Sequence, residues 1–235
     1  MRWLICAALA ACVLVGARSG KCYQEQAVLS RIDHLVYATP DLAAGVERVE
    51  RLLGVRAVPG GQHPGAGTRN ALIGLGDGIY LEIIGPDPSQ PKPDRARRFG
   101  IDELRAPRLV TWAAKGTDLA GILKNAKSHG LDLGQVQSGS RRRPDGVLLS
   151  WHLTVSPEPA AGGIVPFFID WGQTPHPAST LPKGCAIVAL RAEHPDAKRV
   201  EAGLSALGLN LRVDKSATPA LIATIRTAHG DVELR

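Results

Sequence analysis

The feature that most constrains this fold is a strand–helix–strand pattern that recurs along the chain about every 78 residues. Helix starts are predicted at Pro40, Asp118 and Pro195, each after a short run of β-type residues. Each helical pattern ends near a glycine and is followed by further strand-like stretches. This period is too long for a solenoid repeat and is typical of a duplicated supersecondary unit. The sequence therefore predicts an α+β fold of repeated βαβββ modules.

The same pattern predicts the bounds of the modules. A first βαβββ module is expected over residues 31–86 and a second over residues 108–177. The proline-rich segment 87–107 is expected to connect them, and a third, partial βαβββ-like module is expected over 184–235. Each strand set has one apolar face, so we expect the helices to cover the sheets from outside.

Residues 1–27 differ in composition from the rest. Met1-Arg2 precedes an apolar run over 3–15, which is the layout of a signal peptide and too short for a stable membrane span. A start site placed too early explains the same leader equally well. The protein is then expected to be exported or periplasmic in the first case and cytoplasmic in the second. Cys185, alone in the body, favours a reducing compartment weakly.

The charge pattern argues against a nucleic-acid partner. The net charge is +6, with arginine clusters at 95–98 and 141–143, but only 4% of residues are aromatic and no nucleic-acid motif accompanies the arginines. We therefore interpret the clusters as solvated loop charge. An anionic small molecule remains compatible with them.

A carboxylate in an apolar strand is the most unusual local feature. Two apolar runs, 70–75 and 79–84, flank Gly76-Asp77-Gly78, a sequence typical of a hairpin turn. Alternation in the second run places Glu82 on one face, in the middle of the strand. An unpaired buried carboxylate is costly, so Glu82 is expected to face solvent, a metal or a hydrogen-bonding partner. His34 lies at the centre of the first predicted strand.

Five segments together resemble a known family. They are Ile32-Asp33-His34-Leu35-Val36-Tyr37, Gly67-Thr68-Arg69-Asn70-Ala71-Leu72, Tyr80-Leu81-Glu82-Ile83-Ile84, Arg143-Pro144-Asp145-Gly146 and Pro166-Phe167-Phe168-Ile169-Asp170-Trp171. In these segments the chain is similar to the glyoxalase-like domain proteins of the vicinal oxygen chelate superfamily, in the glyoxalase_3-type branch.

The resemblance implies curved mixed sheets around a cleft that holds a divalent metal. It assigns His34 and Glu82 as metal ligands and Glu82 as a catalytic residue. The matching positions of the second module are Thr111 and Phe168, which are poor ligands, so the full ligand set of four is missing. On the polar face of its strand, His152 is the expected third ligand. Zinc, iron, nickel and manganese all suit this ligand type.

The resemblance also implies a small-molecule substrate, with a homodimer as an open option. Arg69 and Asn70 are expected to bind an anionic or carbonyl group, and Thr111, Trp151 and Phe168 to line the cleft. His176, in the linker after the second module, is within reach of the cleft. Glu233 echoes Glu82 in the third module.

The sequence leaves three functions open. The first is a metal-dependent lyase, isomerase or dioxygenase for a substrate with adjacent oxygens, and the alternative is a metal-free protein that binds or sequesters a small molecule. A scaffold that assembles through its C-terminal module is a third, weaker interpretation.

Overall fold

The computed structural model describes residues 27–76, 78–156 and 158–235. The predicted leader falls on residues 1–27, of which 1–26 lie outside this description, as does Asp77 in the predicted hairpin turn. Among the described residues, no helix combines the length and the apolar character that crossing a membrane requires.

Three strand–helix–strand units follow one another along the chain. The first consists of β1 (Ile32–Ala38), α1 (Leu42–Leu53), β2 (Val58–His63), β3 (Thr68–Gly74) and β4 (Tyr80–Pro86). The second consists of β5 (Arg108–Lys115), α2 (Leu119–Ser128), β6 (Gln135–Arg142), β7 (Leu148–Val155) and β8 (Phe167–Asp170). The third consists of β9 (Ala186–His194), α3 (Ala197–Ala206), β10 (Arg212–Lys215), β11 (Ala220–Thr227) and β12 (Gly230–Leu234). Short 3₁₀ helices cover Arg98–Glu103, Ala160–Gly163 and Pro177–Thr180.

The first two units share one curved sheet of eight strands in the order β2-β3-β4-β1-β5-β8-β7-β6. They join where β1 pairs antiparallel with β5, while β1 also pairs parallel with β4. The edge strands β2 and β6 then approach each other, so the sheet nearly closes. A Cβ atom on Gly61 would lie 2.6 Å from the carbonyl oxygen of Arg142, and Arg141 Nη1 donates to the carbonyl oxygen of Gly60. The predicted α+β fold of repeated βαβββ modules around a cleft is confirmed.

The helices lie outside the curved sheet because the apolar faces point there. Val49 and Leu53 of α1 pack into the same buried cluster as Leu35 of β1. In the second unit, Trp112 of β5 is fully buried in this cluster and donates from Nε1 to the carbonyl oxygen of Ile164 at 2.8 Å. Apolar burial of this kind is the main term that stabilises such a layered arrangement.

The third unit forms its own sheet of four strands, in the order β10-β9-β11-β12, and adds to the same outer core. The backbone connects the two sheets at both ends: Ile187 N donates to the carbonyl oxygen of Leu75 at 3.0 Å, and Leu109 N donates to that of Arg235 at 2.9 Å. The predicted domain bounds stay a prediction, because one buried cluster runs through all three units.

Candidate active site

Adjacent strands of the first unit bring His34 and Glu82 together. β1 and β4 run parallel, with Val36 of β1 opposite Glu82 of β4, so the side chains of His34 and Glu82 share the concave face. His34 Nε2 lies 3.8 Å from Glu82 Oε2, and both residues are buried, at 3% and 8% exposure. The ring of Tyr80 stacks on His34 with centroids 4.6 Å apart.

A β-bulge turns Asp33 toward the same place. The register of β1 against β5 shifts between Ile32 and His34, and a bulge of this kind re-aims the extra side chain. Asp33 Oδ1 lies 2.8 Å from His34 Nδ1, and Asp33 also accepts from Trp171 Nε1 at 3.1 Å. His176 Nε2 lies 3.2 Å from the other carboxylate oxygen, so the linker histidine does reach the cleft.

These contacts fix the charge of Asp33 and the orientation of His34. Burial alone would raise the pKa of Asp33, but the hydrogen bonds from His176 and His34, with the positive charge those rings can carry, hold it well below its usual range. Asp33 is therefore an ionised acceptor, and His34 Nδ1 carries the donated hydrogen. In the neutral ring, the lone pair of Nε2 then points at the carboxylate of Glu82.

His63, on β2, approaches Glu82 from the opposite side. Its Nε2 lies 3.8 Å from Glu82 Oε1, and its Nδ1 lies 2.9 Å from the hydroxyl of Thr68. Asn70 Nδ2 lies 3.4 Å from the same Nε2, which assigns that nitrogen as the acceptor. Burial lowers the pKa of His63, opposed by the charge of Glu82, so the ring is neutral at neutral pH.

Asn70 holds Glu82 in place. Its Nδ2 donates to Glu82 Oε1 at 2.6 Å, a short bond of the charge-assisted kind. The side chain fits because residue 60 is glycine: a Cβ atom there would lie 2.1 Å from Asn70 Oδ1. That oxygen is buried and has no hydrogen-bond partner in the described part of the chain. Asn70 is therefore a positioning residue in the site, as well as a candidate substrate contact.

The structure does not bring His152 to this pair. Trp151 and Leu153, its neighbours on β7, pack in one cluster with Phe167 of β8, and the ring of Phe167 meets His34 edge-on at 5.6 Å. Successive side chains of a strand point to opposite faces, so His152 lies on the outer face, where it is exposed. The sequence prediction of His152 as the third ligand is wrong for this reason.

Two of the predicted substrate contacts also face away from the cleft. Phe168 is 1% exposed and belongs to the outer core, because β8 begins at Phe167 and the inward position falls on that residue. Arg69 alternates with the inward Asn70 on β3 and is exposed. Glu233 lies on the third unit, where it pairs with Arg191 at 3.2 Å.

The remaining predicted contacts line the edges of the cleft. Thr111 is 4% exposed and faces a small cavity beside Phe167. Trp151 packs against Trp171 with centroids 5.4 Å apart, and Trp171 in turn donates to Asp33. Trp151 therefore supports the site indirectly, by packing against a residue that contacts Asp33.

Two arginines near Glu82 were missed from the sequence. Arg141 on β6 is 4% exposed, and Arg98 in the connector lies with Cζ 5.6 Å from the ring centroid of Phe167. Burial lowers the pKa of Arg141, while the charges of Tyr80 and Glu82 act in the opposite direction. The available signal was the alternation in β6, which places Arg141 opposite the buried Leu149.

His34, His63 and Glu82 are side chains of the types that bind divalent cations. Within residues 27–76, 78–156 and 158–235, no three or more His, Cys, Asp or Glu side chains have the spacing of an assembled metal site. The ring nitrogens of His34 and His63 lie 3.8 Å from the oxygens of Glu82. The donor chemistry does fit a cation, since imidazole and carboxylate are common ligands and Asp33 supports His34 as carboxylates support metal-binding histidines.

A known protein family matches most of this chain. A model of the glyoxalase-like domain matches residues 32–208. This chain belongs to the glyoxalase-like domain family. The resemblance to the glyoxalase-like domain proteins that the sequence indicated is thereby confirmed. No curated protein matches the chain.

Solved structures agree with this glyoxalase-like fold. A hypothetical protein from Staphylococcus aureus is 13% identical with a TM-score of 0.63, over 85% of this chain and 92% of that one. Methylmalonyl-CoA epimerase from Mycobacterium tuberculosis is 21% identical with a TM-score of 0.40, over 60% and 88%. The Streptomyces coelicolor epimerase, in complex with 2-nitronate-propionyl-CoA, is 20% identical with a TM-score of 0.40, over 63% and 98%. The first likeness establishes the fold alone, and the two epimerases carry no argument about activity.

Proposed function

We propose that this glyoxalase-like protein is a divalent-metal-dependent enzyme that acts on a small substrate with adjacent oxygens. One observation carries the proposal. His34 Nε2 and His63 Nε2 each lie 3.8 Å from one oxygen of the buried Glu82 carboxylate. Imidazole nitrogens and a carboxylate that converge in this way are donors that divalent transition metals accept.

His34, His63 and Glu82 would hold the ion. His63 takes the place that the sequence assigned to His152, because its pKa is lowered and its ring is neutral at neutral pH. A bound divalent ion supplies a Lewis acid that stabilises negative charge on a substrate oxygen. Zinc, iron, nickel and manganese all accept this mixture of ligands.

The protein's own residues orient this centre. Asp33 fixes the ring of His34 through Nδ1, and Thr68 does the same for His63. Asn70 binds Oε1 of Glu82, which leaves Oε2 as the oxygen free to accept a proton from a substrate carbon. Proton transfer next to a carbonyl, as in an isomerase or lyase, is the reaction class we assign.

Metal content and affinity test this proposal directly. Protein purified without chelator is analysed for bound metal, then titrated with each of the four ions by calorimetry. We expect His34→Ala and His63→Ala each to weaken binding at least about 10-fold, because each removes one ligand nitrogen. His152→Ala is the matched control, since it removes an exposed histidine on the outer face and should leave binding unchanged.

Two results would contradict the proposal. One is a parent protein that binds none of the four ions after reloading. The other is loss of metal in His152→Ala with full retention in His63→Ala, which would restore the ligand set expected from the sequence.

A metal-free binding protein is the second candidate. The observation that favours it is the wall formed by Arg98, whose Cζ lies 4.8 Å from the ring of Phe99 and 5.6 Å from that of Phe167. Such a cationic and aromatic wall can bind a ligand without an ion. The cellular compartment stays a prediction, because it depends on the leader.

A further inference from the structure

Two arginines from distant parts of the chain flank the concave face. Arg98 begins the 3₁₀ helix of the connector, and Arg141 lies near the end of β6. Their sequence neighbours Arg97 and Arg143 each pair with an aspartate. Within the described residues, no carboxylate comes within ion-pair distance of Arg98 or Arg141.

We propose that Arg98 and Arg141 form a subsite for a carboxylate group of the substrate. This inference rests on the proposed function, since the carboxylate belongs to the same small molecule that the centre at Glu82 binds.

Arg141 provides a fixed and largely desolvated half of the subsite. Its Nη1 donates to the carbonyl oxygen of Gly60, which ties the guanidinium to the opposite edge of the sheet. Its other nitrogens have no hydrogen-bond partner in the described chain, yet they are not completely enclosed by protein atoms. They therefore keep contact with solvent in the cleft, although the residue is only 4% exposed. A guanidinium in this position presents a planar set of donors that matches a carboxylate.

Arg98 provides the second half from the rim. It stacks over Phe99 and Phe167, and Phe167 meets the ring of His34, so the guanidinium lies beside the proposed centre. The next residue, Phe99, has a φ of +64°, a left-handed conformation that a bulky residue rarely adopts. Strain of this kind persists where the surroundings hold it in place.

A cavity adjoins the subsite on the side of Arg98. It has a volume of about 80 Å³, and Arg98, Thr111 and Phe167 are in its wall. Glu158 also lines this cavity, but it is exposed and therefore well solvated. The cavity gives a small group space beside the guanidinium of Arg98.

Binding of succinate, with succinamide as its neutral analogue, tests the subsite. Calorimetry is performed on chelator-treated protein and repeated after reloading with zinc, so that the anion and the ion are measured separately. We expect succinate to bind in both states and succinamide to bind at least about 10-fold more weakly. Arg98→Gln should weaken succinate at least about 10-fold, and Arg98→Lys should recover only part of the loss because the planar fork is missing.

Arg95→Gln is the matched control, since it removes an exposed arginine of the same connector. It should leave succinate binding unchanged. Arg141→Gln should weaken succinate as Arg98→Gln does, and circular dichroism checks that this variant is folded, because Arg141 also bridges the sheet edges.

The outcomes separate the two proposals. If the protein binds zinc but Arg98→Gln leaves the affinity for succinate unchanged, the subsite is overturned and the metal centre is supported. Succinate binding that depends on Arg98 in a protein that takes up no metal supports the subsite and overturns the metal centre. Equal binding of succinate and succinamide, or tighter binding of inorganic phosphate than of succinate, overturns the carboxylate assignment.

Discussion

Replacement of Asp33 by asparagine is the sharpest test of how the site is built. Asp33 is 1% exposed and accepts hydrogen bonds on both oxygens, from His34 at 2.8 Å, Trp171 at 3.1 Å and His176 at 3.2 Å. In Asp33→Asn, one oxygen becomes a donor. Whichever oxygen is replaced, it faces another donor, because Trp171 Nε1 lies within 3.3 Å of both.

The magnitude follows from these bonds. Loss of one charge-assisted hydrogen bond in a buried place costs about 1.5–3 kcal/mol, which corresponds to a fall in Tm of about 4–10 °C for a chain of this size. Metal affinity should fall about 10–100-fold, because Asp33 orients the proposed ligand His34. Thermal unfolding and zinc calorimetry measure the two effects.

Asp231→Asn is the control for this experiment. Asp231 makes an exposed pair with Arg226 on the third unit, so the change should leave stability close to that of the parent. The reasoning is refuted if Asp33→Asn unfolds within about 1 °C of the parent and binds zinc equally well. A loss of stability with unchanged zinc affinity would make Asp33 structural only.

Two further predictions concern the edge of the sheet and the loop beside it. Gly61→Ala should lower the free energy of unfolding by at least about 2 kcal/mol, since φ is +139° and the new Cβ would lie 2.6 Å from a backbone oxygen. Gly65→Ala, with φ of +73° but open space around it, is the control and should cost only about 1 kcal/mol. Equal costs for the two variants in denaturant titrations would contradict the proposed closure of the sheet. Burial would raise the pKa of Asp87, but hydrogen bonds from Gln90, Ser89 and Gln62 lower it from 3.8 to about 2. The stability that Asp87 contributes should therefore be present above pH 3.8 and lost as the pH falls toward 2. The difference in free energy of unfolding between the parent and Asp87→Ala, measured with urea, should shrink over that interval. A constant difference would refute this assignment.

The family resemblance predicted the pair at the centre of the site, and alternation placed Glu82 on one face of its strand. His34 and Glu82 each lie mid-strand in apolar runs, and the parallel neighbours β1 and β4 place them side by side. The end of α1 was predicted at Gly54, which does cap it, but its start was not: the helix expected from Pro40 begins at Leu42, after the capping residue Asp41.

Register decided what alternation could not predict. The bulge at Asp33 adds one residue to β1, and nothing in the sequence marks it. In β8, the choice between Phe167 and Phe168 depends on where the strand begins, and a slip of one residue exchanges the inner and outer faces. His63 lies in a stretch rich in glycine and proline, which favours a loop, yet the edge strand β2 includes it because pairing with β3 overrides local propensity.

The nearly closed sheet explains why so many charged groups can stand together in the cleft. Strands β2 and β6 are joined by the hydrogen bond from Arg141 to Gly60 and by the close approach at Gly61. The polar face therefore cannot open to reduce the repulsion between its charged groups. The opposite face is covered by the helices and by the third unit in one continuous apolar core. The free energy of that outer burial offsets the cost of keeping Asp33, Glu82 and Arg141 desolvated on the inner face. The third unit therefore supports the site without contributing a residue to it, and variants of its core should weaken stability before they change affinity.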